Sequence, residues 1–254
     1  MAAAPFLITA TIIFGMGAVG YGAFVWLTTA DRFAIDDIAV RGNVRLSRQD
    51  IVAKLGIAPG DNVFLIDPEA ATARLSELSW VASASVRREL PDRVVVTVEE
   101  NKAAAMVDLG KLYLVDSDGR AFKRLDTATA ESEDLVVITG IGRKRYRTHP
   151  AGARAAIIRA LAIKRAWDTE PRPRLGEIHV DPIRGITLFT YDRALAISLG
   201  HADPDELARR MALYDRAWAA LGPEEKRRAQ AVRIARSDDG GRVVLSFSEA
   251  RTPN

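Results

Sequence analysis

From Ala2 to Ala30 the chain carries no charged residue, and this run constrains the fold more than any other feature. A helix needs about 20 apolar residues to cross the hydrocarbon core of a bilayer, so residues 2–30 suffice. Phe6, Leu7, Ile8, Ile12, Ile13, Phe14, Val19, Phe24, Val25, Trp26 and Leu27 supply the apolar surface. Gly15, Gly17, Gly20 and Gly22 suit a membrane helix better than a water-soluble one. Trp26 falls near the far end, where an indole favours the headgroup interface. A cleaved signal peptide would need a basic start, an apolar core of about 7 to 15 residues and a small-x-small site. Here the core is longer, and no Lys or Arg precedes it. The run is therefore read as a bilayer anchor within residues 1–32. With no basic residue before it, the positive-inside rule does not orient it.

The remaining residues have the composition of folded domains. The 254-residue chain is 48% hydrophobic and 27% charged, with a net charge of +3. Its basic residues are interleaved with acidic ones, which points to solvation rather than a nucleic-acid footprint. The absence of cysteine excludes disulfides, thiol catalysis and Cys-ligated metals.

Between residues 33 and 100 the pattern is strand, helix, helix, strand, strand. Ile38 and Val40 alternate with polar neighbours, and Gly42-Asn43 breaks the strand. Ser47 is placed to cap a helix with Asp50 at its third position, and Gly56 stops that helix. Asp67-Pro68 opens a second helix with Ala71, Leu75 and Leu78 on one face. Two strands follow, Ser83–Arg88 and Arg93–Glu100, the second with Val94, Val96 and Val98 on one side. Trp80 serves packing or recognition, and packing is the commoner use.

Beyond Asn101, Leu112–Val115 and Arg120–Arg124 read as a hairpin across Asp116-Ser117-Asp118-Gly119, and Leu135–Ile138 as a short strand. A helix over Ala151–Trp167 is expected to bury Ile157, Ile158, Leu161 and Ala162. Strands are expected at Glu177–Val180, Ile186–Tyr191 and Leu195–Leu199. Asp203 then caps an amphipathic helix carrying Leu207, Met211, Tyr214, Trp218 and Leu221. A last hairpin joins Ala231–Ala235 to Val243–Ser248.

Little in the sequence asks for catalysis. His149, His179 and His201 lack zinc-protease spacing, and Gly140-Ile141-Gly142 lacks a phosphate-loop ending. The basic cluster Arg143 to Arg147 reads as a solvated loop, with anionic lipid or an acidic partner as the alternative. No cofactor, metal or small-molecule substrate is expected.

The words VRGNVRLS (Val40 to Ser47), PGDNVFLID (Pro59 to Asp67), LSELSWVASASVRRELPD (Leu75 to Asp92) and VVVTVEE (Val94 to Glu100) resemble the POTRA domain of the FtsQ/DivIB family of cell-division proteins. YLVDSDGRAFKRL resembles the strand-turn-strand opening that family's second domain. The implied fold is α+β: a single transmembrane helix, a small POTRA domain (β-α-α-β-β) over residues 33–100, then a mixed α/β domain over 101–249. That second domain would hold a largely antiparallel sheet with flanking helices, and residues 250–254 a tail.

The resemblance implies a non-enzymatic divisome scaffold of the inner membrane, with the N-terminus cytoplasmic and both domains periplasmic. Its implied partners are FtsB/FtsL-like bitopic division proteins, docked by strand addition on Arg242–Ser248 beside Ile234 and Arg236. Val243, Leu245 and Phe247 either choose the partner or pack the core, and Arg236 pairs with a partner acid. Family members usually carry a basic cytoplasmic tail before the anchor, whereas only a handful of residues stand here, so the start is truncated or the tail is lacking. Competing classes are a POTRA-bearing periplasmic chaperone or transport adaptor, and a membrane-anchored periplasmic enzyme. A transport barrel would need many amphipathic strands of about ten residues.

Overall fold

Helix α1 (Ala3–Thr29) takes up the uncharged run. The computed structural model describes residues 3–125, 134–201, 203–235 and 242–248, which form two compact units, Met1–Asn101 and Lys102–Asn254.

In the first unit a 3-10 turn (Asp31–Phe33) follows α1, then β1 (Asp37–Arg41), α2 (Arg48–Leu55), α3 (Pro68–Ser76), β2 (Val81–Glu89) and β3 (Arg93–Glu100). The local signals act as expected. Ser47 accepts from the Asp50 N–H, and Asp67 accepts from the N–H groups of Glu69 and Ala70. Each cap satisfies helix donors that would otherwise lack partners. The sheet order is β1-β3-β2, with β1 parallel and β2 antiparallel to β3. β3 is thus central, and its Val94, Val96 and Val98 are buried with Ile51 and Leu55 of α2 and Ala71 and Leu75 of α3. Period-two alternation on β3 meets helical spacing on α2 and α3 in one core.

The second unit is built on a nine-stranded sheet. Its elements are β4 (Ala105–Asp108), β5 (Leu112–Val115), β6 (Ala121–Arg124), β7 (Val137–Thr139), α4 (Arg143–Thr148), α5 (Pro150–Asp168), β8 (Leu175–Asp181), β9 (Gly185–Thr190), β10 (Ala196–Gly200), α6 (Pro204–Ala220), α7 (Pro223–Arg228), β11 (Ala229–Ala235) and β12 (Arg242–Phe247). The strand order is β12-β11-β10-β9-β8-β7-β4-β5-β6. Pairing is parallel at β10–β11, β7–β8 and β4–β7 and antiparallel elsewhere. The expected α+β architecture with a largely antiparallel second sheet is present.

Four details differ from expectation. β4 joins the sheet although its short, buried Ala-Met-Val run shows no alternation. The basic cluster forms helix α4 instead of a loop. Helix α7 begins at Pro223 after Gly222. On α5 the buried stripe is Ala153, Ile157, Ala160, Leu161, Ile163 and Trp167, while Ile158 and Ala162 are exposed. Trp167 sets that rotation: it is fully buried, and its indole N–H donates to the Pro173 carbonyl at 2.8 Å.

Candidate functional site

The last strand, β12, has β11 on one side and, among the described residues, no strand on the other. Its antiparallel register pairs Val232 with Leu245, Arg233 with Val244 and Ile234 with Val243. Helix α6 packs against β10, β11 and β12. Alternation then assigns the faces. Val243 and Leu245 are half-buried against the core, whereas Val244 and Ser246 are exposed. Of the residues singled out in the sequence, Ile234 is a core residue at 3% exposure, and Phe247 at the strand end is 40% exposed. Arg236 lies outside the described residues. The structure therefore brings Ile234, Val243 and Leu245 together on the core side. The outward-facing Val244 and Ser246 went unselected, although the same alternation marks them.

The support beneath this edge is aromatic and ionic. Tyr214 lies between Trp167 (5.1 Å between ring centroids) and Trp218 (5.7 Å, stacked). Arg172 grips Asp215 through two 2.8 Å hydrogen bonds and lies over the Trp167 ring. Those bonds to Asp215, partly offset by burial, raise the guanidinium's already high pKa. Burial, reinforced by the Asp215 charge, pushes the Tyr214 phenol well above its ordinary range. Among the described residues its hydroxyl has no hydrogen-bond partner. Arg210, also buried, donates to Glu206 and to the Leu199 carbonyl, which fastens α6 to the end of β10.

One polar cluster was not visible in the sequence. Thr139 on β7 lies 2.6 Å from Glu177 and 2.7 Å from His179 Nδ1 on β8. The threonine hydroxyl has one proton, which goes to the carboxylate, so the imidazole must donate to Thr139 rather than accept from it. The carboxylate and the imidazole are thus both tied to one hydroxyl, and the arrangement braces two adjacent strands. Among the described residues no group of three or more His, Asp or Glu could hold a metal ion.

In the first unit the Glu100 carboxylate closes the turn after β1. It accepts from the N–H groups of Val44 (2.9 Å), Arg45 (2.9 and 3.1 Å) and Leu46 (3.0 Å). Partial burial alone would raise this carboxyl, but the backbone donors, aided by the Arg45 charge, outweigh it and hold the group below the usual carboxylate range. Gly42 enables the turn: its φ is +82°, and a Cβ there would collide with the Val98 carbonyl.

An apolar N-terminal helix, a three-stranded unit covered by two helices and a nine-stranded sheet open at β12 define a membrane-anchored α+β protein whose accessible feature is a strand edge. A family model described as "POTRA domain, FtsQ-type" matches residues 33–101. A second, "Cell division protein FtsQ/DivIB, C-terminal", matches residues 103–238. The chain is 35% identical over 201 residues to a cell division protein FtsQ of Anaeromyxobacter sp. (strain K), covering 78% of this chain and 66% of that one. The FtsQ of Syntrophotalea carbinolica is 32% identical over 197 residues, 76% and 69% of the two chains. The chain thus spans about two thirds of the length of these curated relatives. It belongs to the FtsQ/DivIB family of cell-division proteins, and with one candidate membrane-spanning helix among the described residues, Thr11–Thr29, it has the make-up of a bitopic membrane protein.

Proposed function

We propose that the chain is a non-enzymatic divisome scaffold with its N-terminus in the cytoplasm, its anchor within residues 1–32 and its domains, 33–100 and 101–249, in the periplasm. It docks an FtsB-like bitopic partner, itself paired with an FtsL-like one, by adding the partner's strand to β12.

The contrast between the two edges of the large sheet carries this reading. β6 is four residues long and ends in Lys123 and Arg124, the kind of charged side chains that discourage strand addition. β12 runs for six residues, with no charge after Arg242 and with Val244 facing solvent. Backbone groups on such an edge supply sequence-independent bonds, and the outward side chains supply selectivity. Val243 and Leu245 hold the strand to the core, so Val244, Ser246 and the exposed part of Phe247 are the residues that read the partner. Arg236, just beyond β11, is suited to an acidic partner residue.

Paired proline substitutions test the edge. Along a strand, successive N–H groups point to opposite sides, so one of V244P and L245P removes an outward N–H and the other an N–H bonded to β11. The outward variant should keep its circular dichroism spectrum yet lose co-purification with the FtsB–FtsL pair. Retained binding by both variants while folded would sink the proposal.

A further inference from the structure

The end of α1 is fastened to the first domain. The Asn62 side chain donates to the Leu27 carbonyl at 2.9 Å, and its own oxygen accepts from the Phe64 N–H. Trp26 meets Phe33 edge-to-face at 5.7 Å, and Phe33 meets Phe64 in the same way at 5.0 Å. The Leu65 N–H donates to the Asn62 carbonyl, closing a tight turn, and the Leu65 side chain at its tip is 63% exposed.

Lengths fix the height of this turn. A 27-residue helix is about 40 Å long at 1.5 Å per residue, close to the thickness of a bilayer with its headgroups, about 40–45 Å. The last turn of α1 therefore lies among the headgroups, where Trp26 is favoured. Asn62 is bonded within that turn, so residues 62–65 share its depth.

We propose that the turn Asn62–Leu65 is a membrane-docking element: Leu65 inserts at the lipid interface, and Trp26, Phe33 and Phe64 form one interfacial aromatic cluster. The occupant of this surface is the bilayer that α1 spans, because the turn is hydrogen-bonded to the spanning helix itself. Asp61 and Asp67 flank the turn in sequence, and the Arg88 guanidinium donates to the Ile66 carbonyl beside it. Both signs of charge meet there, so the contact is assigned to the apolar Leu65 side chain, without need of anionic lipid. The proposal rests on α1 being a span.

The cysteine-free sequence permits single-site labelling of the full chain. L65C, V44C and F14C would each carry a bimane and be reconstituted in phosphatidylcholine vesicles containing nitroxide lipids, shallow or deep. Val44 is 88% exposed and lies beyond the far end of β1, about 16 Å along that strand. The expected result is quenching at 65 by the shallow nitroxide, at 14 by the deep one, and at 44 by neither, unchanged when anionic lipid is added. Quenching at 14 with none at 65 would overturn the docking while leaving the span intact. No quenching at 14 or 65 would remove both.

Discussion

Glu100 shows how one side chain ties together parts of the chain distant in sequence. Its carboxylate gathers three backbone donors that would otherwise face a turn with no acceptor. A carboxyl whose folded pKa is depressed stabilises the fold above its unfolded value and loses that contribution as pH falls through the folded one. With the ordinary value at 4.5, E100Q should be less stable than the parent at pH 7. The gap should close progressively below pH 4.5, as read from denaturation midpoints of the two full chains in detergent. A pH-independent gap would show that the carboxylate charge is not what binds the turn. Tyr214 is the opposite case. Its hydroxyl is buried and, among the described residues, without a partner, and an unsatisfied buried polar group costs about 1–3 kcal/mol. Y214F should therefore equal or exceed the parent in stability, whereas Y214A should lose about 3–5 kcal/mol with the ring. Neither role was legible in the sequence, because both depend on what lies opposite the residue in space.

Among the elements, those with both a start signal and a periodic face could be read directly. Asp67-Pro68 and Asp203-Pro204 opened α3 and α6 as expected, because a cap and a proline at the first turn depend on local chemistry alone. D67A should cost about 1 kcal/mol, measured as a lower unfolding midpoint, with D67N recovering most of it. G42A should cost more than the ~1–2 kcal/mol of a positive φ, since the Val98 carbonyl also blocks the added methyl. What escaped reading lacked such signals. β4 is an apolar stretch too short to separate strand from helix by period, and its place between β7 and β5 is fixed by pairing with both. In α5 the apolar spacing allowed two neighbouring stripes, and only the burial of Trp167 selects between them. The edge at β12 was visible as a final hairpin. Which of its faces meets solvent was not, because alternation gives two faces and only the packing of α6 says which is inner.

At the scale of the whole molecule, orientation decides whether β12 can reach a periplasmic strand or a cytoplasmic one. Charge does not settle it: residues 2–30 carry none, and Asp31, Arg32, Asp36 and Asp37 just beyond mix both signs. The placement of both domains outside is the proposal under test, and the absence of cysteine makes the test clean. V44C occupies an exposed loop of the first unit, remote from the docking turn. Expressed in a Gram-negative host with a permeabilised outer membrane, it should react with a membrane-impermeant maleimide in intact cells. It should gain no further labelling when the inner membrane is broken. Labelling only after lysis would put both domains in the cytoplasm, and β12 would then face a different set of strands.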